Sequence, residues 1–246
     1  MKVLILTFLV TMGLSACYEG APVNSNDYTI SDINMTMVVE SKQSNKTSVS
    51  VHLARFRQLT TIPVNLTGSD QLIANAYGVT KPLTKVKDGE YQVVFNANTS
   101  DVFKISFLRT GERGAPNNTV TLPPPFAITQ PVNNQIFNNS DLITFSWSPA
   151  NNFYNMNLVY EVTCTTISNN KVSFPRQSLK LNDIGSYVFD SSKLSISSFQ
   201  NLDVTQPCTC NFLINRYEYN GIRDDNLGGG SFGATQEKAV NLLINP

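Results

Sequence analysis

Hydrophobic residues beyond residue 33 recur at every second position in short runs, and clusters of Asn, Asp, Gly, Pro and Ser separate these runs. Such alternation is typical of strands with one buried face. No segment keeps apolar residues at i, i+3, i+4 and i+7 over three turns, which an amphipathic helix would require. Within 48–53, for example, Val49, Val51 and Leu53 share one face and Ser50 and His52 share the other. The pattern predicts an all-β chain.

The alternation predicts one group of strands on each side of a proline run. The first group covers residues 35–40, 48–56, 62–66, 71–77, 91–97, 102–108 and 119–122. The second group covers residues 135–137, 142–147, 156–165, 172–174, 186–189, 210–219 and 238–244. About seven short strands in about ninety residues resembles an immunoglobulin-like sandwich. We therefore expect two consecutive immunoglobulin-like antiparallel β-sandwiches.

Proline and polar content set the expected domain boundaries. The prolines at 123–125 cannot donate to a sheet ladder and favour polyproline II, so residues 123–126 are predicted to be a semi-rigid linker. The first sandwich is then 34–122 and the second 127–246. Residues 17–33 are polar and turn-rich, which indicates a flexible tether. A coil of about fifteen residues would hold the body roughly 20 Å from its attachment point.

A local motif supports the sandwich assignment in each half. Asp183, Gly185 and Tyr187 resemble the Asp-x-Gly-x-Tyr corner of immunoglobulin domains, in which the tyrosine hydroxyl bonds to upstream backbone. Residues 88–91 are a looser version of the same motif. Because Phe189 stands where the antibody cysteine would fall, the resemblance is to the sandwich class and not to antibody domains.

The N-terminus carries an export signal. Met1 and Lys2 form a positive start, and residues 3–13 form an apolar stretch that is too short to span a roughly 30 Å hydrocarbon core. The signal ends in Leu-Ser-Ala-Cys at 14–17, which resembles a bacterial lipobox. The resemblance implies that residues 1–16 are a lipoprotein signal peptide and that Cys17 is lipidated.

A lipidated Cys17 implies a location and a partner. Acyl chains contribute about 0.8 kcal/mol for each buried methylene, so a lipidated N-terminus would attach the chain stably to a membrane. The residue after the cysteine is Tyr18 and not an acidic residue, which in enterobacterial lipoproteins favours the outer membrane. We therefore expect a lipid-anchored protein of the bacterial cell envelope with a further envelope protein as its partner.

Several longer segments resemble uncharacterised proteobacterial lipoproteins. They accompany the lipobox and cover residues 117–131, 142–149, 182–187 and 228–236. Each of these segments is structural, so the resemblance implies the fold and the anchor but brings no activity with it.

The remaining cysteines suit an exported protein. In an oxidising compartment we expect one disulfide, from Cys164 to either Cys208 or Cys210, and one free thiol. It would close a loop of about 45 residues and contribute roughly 3 to 4 kcal/mol. Cys208 and Cys210 are predicted to lie on one face of a strand about 6 to 7 Å apart, so a bond between those two would need a bend.

Composition and motifs offer little catalytic chemistry. With 18 basic and 18 acidic residues among 246, the chain has none of the basic excess that nucleic-acid binding uses. His52 is the single histidine, and no Gly-x-Ser-x-Gly motif accompanies it. The glycines at 228–230 lack the Gly-Lys-Ser/Thr of a phosphate loop and indicate a turn or a bulge. We expect no catalytic residues and no cofactor.

Asp224 and Asn226 are weak candidates for calcium ligation. Their oxygens are suitable ligands, but a twelve-residue calcium loop starting at Asp224 would end at Thr235, where glutamate is required. We therefore predict no metal site.

The sequence thus favours a non-enzymatic scaffold or protein-interaction module. The alternative is a carbohydrate-binding or adhesin-type surface module, because aromatic side chains near predicted loops could stack on sugar rings. The candidates are Phe153, Tyr154, Tyr217 and Tyr219. An enzyme that uses acidic residues alone is a third hypothesis, and no pair of carboxylates stands out for it.

Overall fold

The computed structural model describes residues 20–42, 45–57 and 60–246. Its regular structure is almost entirely strand, with four short 3-10 helices at Ser25–Asp27, Ile30–Asp32, Ser191–Leu194 and Ile196–Ser198. The strands before the proline run are β1 (Val23–Asn24), β2 (Asn34–Ser41), β3 (Thr47–Arg57), β4 (Thr60–Asn65), β5 (Gln71–Ala76), β6 (Val79–Pro82), β7 (Thr84–Lys87), β8 (Glu90–Phe95), β9 (Asp101–Leu108) and β10 (Ala115–Leu122). The strands after it are β11 (Ala127–Gln130), β12 (Ile136–Asn138), β13 (Leu142–Ser148), β14 (Asn155–Thr165), β15 (Lys171–Ser173), β16 (Gln177–Leu181), β17 (Ser186–Asp190), β18 (Cys208–Glu218) and β19 (Phe232–Asn245).

The predicted all-β, immunoglobulin-like sandwich fold is confirmed. Every predicted strand coincides with an observed one, and all of them except β12 and β15 contain buried residues. The strands that the alternation did not predict are short or lack a clear apolar face. In β7, for instance, all four residues are exposed.

The first sandwich packs two sheets around one core. One layer contains β1 to β4, β7 and β8, and the other has the order β10-β9-β5-β6. Fully buried side chains such as Met37, Val51, Phe103 and Phe107 fill the space between the layers. In the loose corner motif, the Tyr91 hydroxyl accepts a 2.6 Å hydrogen bond from the backbone N–H of Leu66, which ties the corner to upstream backbone.

The second sandwich repeats the arrangement with fewer strands. One layer contains β12, β14, β15, β16, β18 and part of β19, and the other has the order β11-β13-β17. Phe145, Phe189 and Phe212 meet in the core, with Phe145 and Phe212 centroids 4.9 Å apart. In this half the corner aspartate, Asp183, is buried and accepts a 2.7 Å bond from Trp147 Nε1.

One long strand joins the two sandwiches. The first part of β19 pairs in parallel with β2, and Phe232 and Ala234 there belong to the first core. In the last part of β19, Val240, Leu242 and Ile244 pack in the second core. β18 pairs with β19 from Ala234 to Ile244. The two predicted sandwiches therefore share one twelve-stranded sheet, and β19 belongs to both.

The proline run is held in place by buried side chains of neighbouring strands. Gln236 Nε2 donates to the carbonyl oxygen of Pro123 at 3.1 Å, and Arg216 Nη1 donates to that of Pro124 at 2.8 Å. Arg216 and Gln236 face each other across β18 and β19. Leu122, before the run, belongs to the first core and Phe126 to the second, and the backbone of the run is bonded to side chains of β18 and β19.

The described part of the predicted 17–33 tether, which starts at residue 20, is packed onto the first sandwich. Val23 pairs in parallel with Val64, and Ile30 and Ile33 are buried in the first core. Arg109 holds this segment through bonds from its Nη2 to Ser25 O and from its Nη1 to Tyr28 O, both 2.7 Å. The segment resembles a tether in sequence because its apolar residues are few and its other contacts use polar groups, such as the side chains of Ser25 and Asn26 bonded to Thr67.

The glycines at 228–230 allow two backbones to approach closely. Gly228 N–H donates to Ile33 O at 2.9 Å, and Met35 N–H donates to Gly229 O at 3.0 Å. Gly230 has φ of +135°, and a Cβ there would lie 1.8 Å from Met35 O. The glycines thus allow a close backbone approach, which places the start of β19 beside β2.

Candidate functional site

The predicted lipidation site, Cys17, lies outside the described residues. The first described residue, Gly20, donates its N–H to Thr61 O at 3.1 Å, so it is fixed on β4. Cys17 lies three positions before Gly20 in the sequence. Three residue steps of fully extended chain span at most about 11 Å. No helix in the described part of the chain is long and apolar enough to span a membrane.

The cysteines form one disulfide and one buried thiol. Cys164 on β14 is bonded to Cys208 on β18, which resolves the two alternatives left by the sequence. Cys210 follows two residues later on the same buried face and is free. Burial raises the pKa of the Cys210 thiol far above its usual range, so the thiol stays protonated and is poorly reactive. The disulfide is a structural link between two central strands.

The two weak calcium candidates instead support a loop. The Asp224 carboxylate accepts N–H bonds from Asn117 and Asn226, both at 3.0 Å. Asn226 Nδ2 donates to Gly114 O at 2.9 Å. Among the described residues, no group of three or more His, Cys, Asp or Glu side chains could hold a metal ion. The oxygens of Asp224 therefore dock the 224–226 loop on β10.

His52 lies in a shallow groove on the outer face of the first sandwich. Its neighbours there include Thr36, Ser50, Glu90 and Gln92, which line a space of about 230 Å³. Thr36 and Glu90 are its cross-strand partners in β2 and β8. This outcome agrees with the polar face predicted for His52, and the groove combines polar side chains with the apolar side chains of Val38 and Val86.

The structure separates the four aromatic candidates for sugar binding. Tyr217 and Tyr219 form a pair with ring centroids 4.7 Å apart. Tyr154 lines two clefts instead, one of about 250 Å³ with Glu218 and Asn220, and one of about 360 Å³ with Lys180. Phe153 is 93% exposed and lines neither cleft. Of the four, only Tyr154 combines an aromatic ring with a concave surface that holds polar groups.

A third cleft, on the side of the second sandwich, was not predicted from the sequence. It has a volume of about 270 Å³. It lies where the strand paired with the edge of β14 changes from β16 to β15. Tyr160 and Val162 of β14 contribute to it, together with Phe174 and Lys193. In the sequence, Tyr160 belongs to a stripe of core residues, so no local signal distinguishes it from its neighbours.

A buried ion pair lies at the junction between the two sandwiches. Arg216 Nε donates to Asp183 Oδ2 at 2.6 Å, and both side chains are fully buried. The remaining Arg216 donors bind Pro124 O and Pro149 O, and the guanidinium lies 4.8 Å from the Phe126 ring centroid. Every strong donor and acceptor of the pair is thus satisfied within the protein, which makes it a structural centre and not an open site.

Comparisons with known proteins give no family. No protein-family model matches the chain, and no curated protein matches it. The adhesin InvE of Yersinia pseudotuberculosis matches at 13% identity and a TM-score of 0.25, over 87% of this chain and 59% of that one. Fibronectin(III)-like modules of Clostridium thermocellum CbhA match at 8% identity and a TM-score of 0.26, over 87% of this chain and 94% of that one. InvD of Yersinia pseudotuberculosis matches at 10% identity and a TM-score of 0.23, over 85% and 67%.

The chain spans about three fifths of the length of InvE. TM-scores of this size support no argument about function. The fold class rests on the strands, sheets and cores described above.

Proposed function

We propose that this chain is a lipid-anchored, non-enzymatic interaction module of the bacterial cell envelope, attached through Cys17 and sorted to the outer membrane. The observation that carries the proposal is the lipobox at 14–17. The ordered start of the body, three residues beyond Cys17, supports a close attachment. The edge formed by β1 and β4 would then lie next to the membrane, and the far sandwich would present its surface to a partner protein.

The chemistry of the described residues agrees with a non-enzymatic role. His52 lies on an outer strand face, the Cys210 thiol is buried and protonated, and the buried ion pair of Asp183 and Arg216 is fully bonded within the protein. The described clefts lack a nucleophile paired with a base. We infer that contact with another molecule, and not turnover, is the function.

Substitution of Cys17 tests the anchor. The Cys17→Ser variant is expected to move from the membrane fraction to the soluble fraction and to lose incorporation of labelled palmitate, because serine offers no thiol for the lipid. Its circular dichroism spectrum should stay that of a β protein. Tyr18→Ser serves as the matched control, since it leaves 14–17 intact. A Cys17→Ser protein that still sediments with membranes would contradict the proposal.

The second candidate function is carbohydrate binding at Tyr154. The specific observation is that Tyr154 lines two polar clefts, one of which also contains Glu218. Tyr154→Ala should abolish retention on a peptidoglycan or glycan matrix, because aromatic stacking and cleft shape are both lost. Phe153→Ala is the matched control, since its exposed ring lines neither cleft. Equal retention of both variants would exclude the Tyr154 clefts.

A further inference from the structure

The edge of β14 is interrupted in the second sandwich. The strand pairs with β16 from Met156 to Tyr160 and with β15 from Thr163 to Thr165. The residues between those two partners, which include Pro175, loop away, and the single bond across the gap runs from Phe174 N–H to Val162 O at 3.0 Å. The gap opens a lateral entrance to the second core.

The opposite wall of this entrance is a rigid turn. Asp190 accepts a hydrogen bond from Ser192 N–H at 3.0 Å and so caps the 3-10 helix Ser191–Leu194. The helix ends at Ser195, which has a left-handed backbone with φ of +53°. Leu194 is buried in the second core, while Lys193 remains at the rim. The wall is thus fixed at both ends before any ligand is present.

Tyr160 is an unusual core residue because its polar group has no partner. Its side chain is only 8% exposed, and its ring packs on Phe189 and Phe212 with centroids 5.1 and 6.0 Å apart. Its hydroxyl forms no hydrogen bond with the described residues. The buried side-chain oxygens without a partner in the described part of the chain belong to Asn139, Asn157, Asn215 and Gln236, so the Tyr160 hydroxyl is open to solvent and available to a ligand. Since the ring is enclosed by aromatic neighbours, the hydroxyl is the part of Tyr160 that meets the cleft.

The polar groups around the cleft define a ligand class. Gln177 is the direct cross-strand partner of Tyr160 and so shares its face, and Lys193 and Ser195 stand on the opposite wall. Burial raises the pKa of Tyr160, so its hydroxyl is neutral at neutral pH and can donate to an anion. Among the described residues that line the cleft, Lys193 is the one charged group and no carboxylate is present. The lining therefore favours an anionic ligand and offers no partner to an amino group.

The volume and the apolar surface of the cleft further restrict the ligands that it could bind. A volume of about 270 Å³ is below the range of about 300 to 1,000 Å³ that is usual for drug-sized ligands, so the cleft suits a single small ring. Val162, Leu194 and the Phe174 ring supply apolar surface beside the hydrogen-bonding groups. A pyranose ring has an apolar face and a hydroxylated edge, and a carboxylate on it would meet Lys193.

We propose that the cleft between β14 and the Ser191–Leu194 turn is a binding site for one acidic sugar unit, a uronic acid. In this site the Tyr160 hydroxyl and Gln177 bind ring hydroxyls, Lys193 binds the carboxylate, and the apolar wall covers the ring face. The proposal goes beyond membrane anchoring and does not depend on it. It also uses a different surface from the Tyr154 clefts.

The test is calorimetric titration of the full chain, purified in detergent, with glucuronic acid as the probe. Glucose, which has the same ring without the carboxylate, and inorganic phosphate, which has charge without the ring, are the comparison ligands. Glucuronic acid is expected to bind at least tenfold more tightly than glucose and than phosphate. Equal binding of glucose would overturn the role of Lys193, and equal binding of phosphate would reduce the site to an anion contact and overturn the sugar assignment.

Variants locate the binding. Tyr160→Phe removes one hydroxyl and keeps the ring, so affinity should fall about fivefold, equivalent to one neutral hydrogen bond. Lys193→Gln should lower it about tenfold, as expected for a charge-assisted bond. Tyr217→Phe and Lys171→Gln are matched controls, since neither residue lines the cleft. Unchanged thermal midpoints confirm folding. The proposal fails if glucuronic acid does not bind the wild-type chain, or if binding survives both cleft variants.

Discussion

At the scale of single residues, Arg216 connects features that are distant in sequence. Its guanidinium bonds to Asp183, Pro124 and Pro149, which come from the corner motif, the proline run and the end of β13. A buried charge is expensive unless it is paired and hydrogen-bonded, and here each nitrogen of the guanidinium has an acceptor. The role of Arg216 is therefore to fix three loops at the junction of the sandwiches.

Arg216→Met is expected to destabilise the protein by about 3 to 5 kcal/mol, because it leaves the Asp183 carboxylate buried without its partner. Urea unfolding followed by Trp147 fluorescence measures the loss. Lys42→Met is the control, since Lys42 and Glu40 form an exposed pair that contributes about 0 to 1 kcal/mol. The double variant Arg216→Met with Asp183→Leu should recover part of the loss. Equal stability of Arg216→Met and wild type would show that the pair contributes nothing.

The roles of several single residues could not be predicted from the sequence. Arg216 and Gln236 stand at inward-facing positions in strands, and nothing in their local sequence predicts which carbonyl groups they bind. The sequence also does not reveal that the Tyr160 hydroxyl lacks a hydrogen-bond partner, because a tyrosine in an apolar stripe is normally a core residue. Each of these roles depends on contacts made more than thirty residues away, or, for Tyr160, on a contact that is missing.

At the scale of elements, hydrophobic alternation predicted the strands because every central strand has one face on a core. It also placed the disulfide on β14 and β18, although alternation could not choose between Cys208 and Cys210, since both share the buried face. The N-terminal segment was different. Its polar sequence resembles a tether, and the contact that orders it comes from Arg109, eighty residues further along the chain.

Arg109→Met should loosen this segment selectively. The variant removes the donors to Ser25 O and Tyr28 O and leaves the buried Asp70 carboxylate without its partner, so amide exchange of peptides from residues 20–33 should rise at least tenfold more than that of peptides from β14 and β18. Hydrogen exchange with mass spectrometry provides the measurement. Arg113→Met is the matched control on the same exposed loop. Exchange that rises equally in both sandwiches would instead indicate general destabilisation.

At the scale of the whole molecule, the two cores are joined by continuous hydrogen bonding. β19 pairs with β2 of the first sandwich and with β12 and β18 of the second. The proline run in the sequence suggests two independent units. The hydrophobic alternation within β19 cannot show that this strand contributes to both cores. Leu122 packs in the first core and Phe126 in the second, but the sheet continues from one core to the other.

The shared strand predicts that both cores unfold together. Trp147, the single tryptophan, reports on the second core, and far-ultraviolet circular dichroism reports on all strands. The two signals should show one coincident urea transition, as in a two-state protein. Gln236→Pro, which removes a shared ladder bond, should shift both signals by the same amount. Two separated transitions would show that the sandwiches are independent units.

The position of β19 also has a consequence for biogenesis. The ribosome makes the rest of the first core by Leu122, but Leu227, Phe232 and Ala234 are made more than a hundred residues later. At about 5 to 20 residues per second, this interval lasts roughly 5 to 25 s, during which β2 has no partner on one edge. The first core of a nascent chain therefore stays incomplete until β19 has been made, and the exposed edge of β2 is free to pair with other chains during this interval.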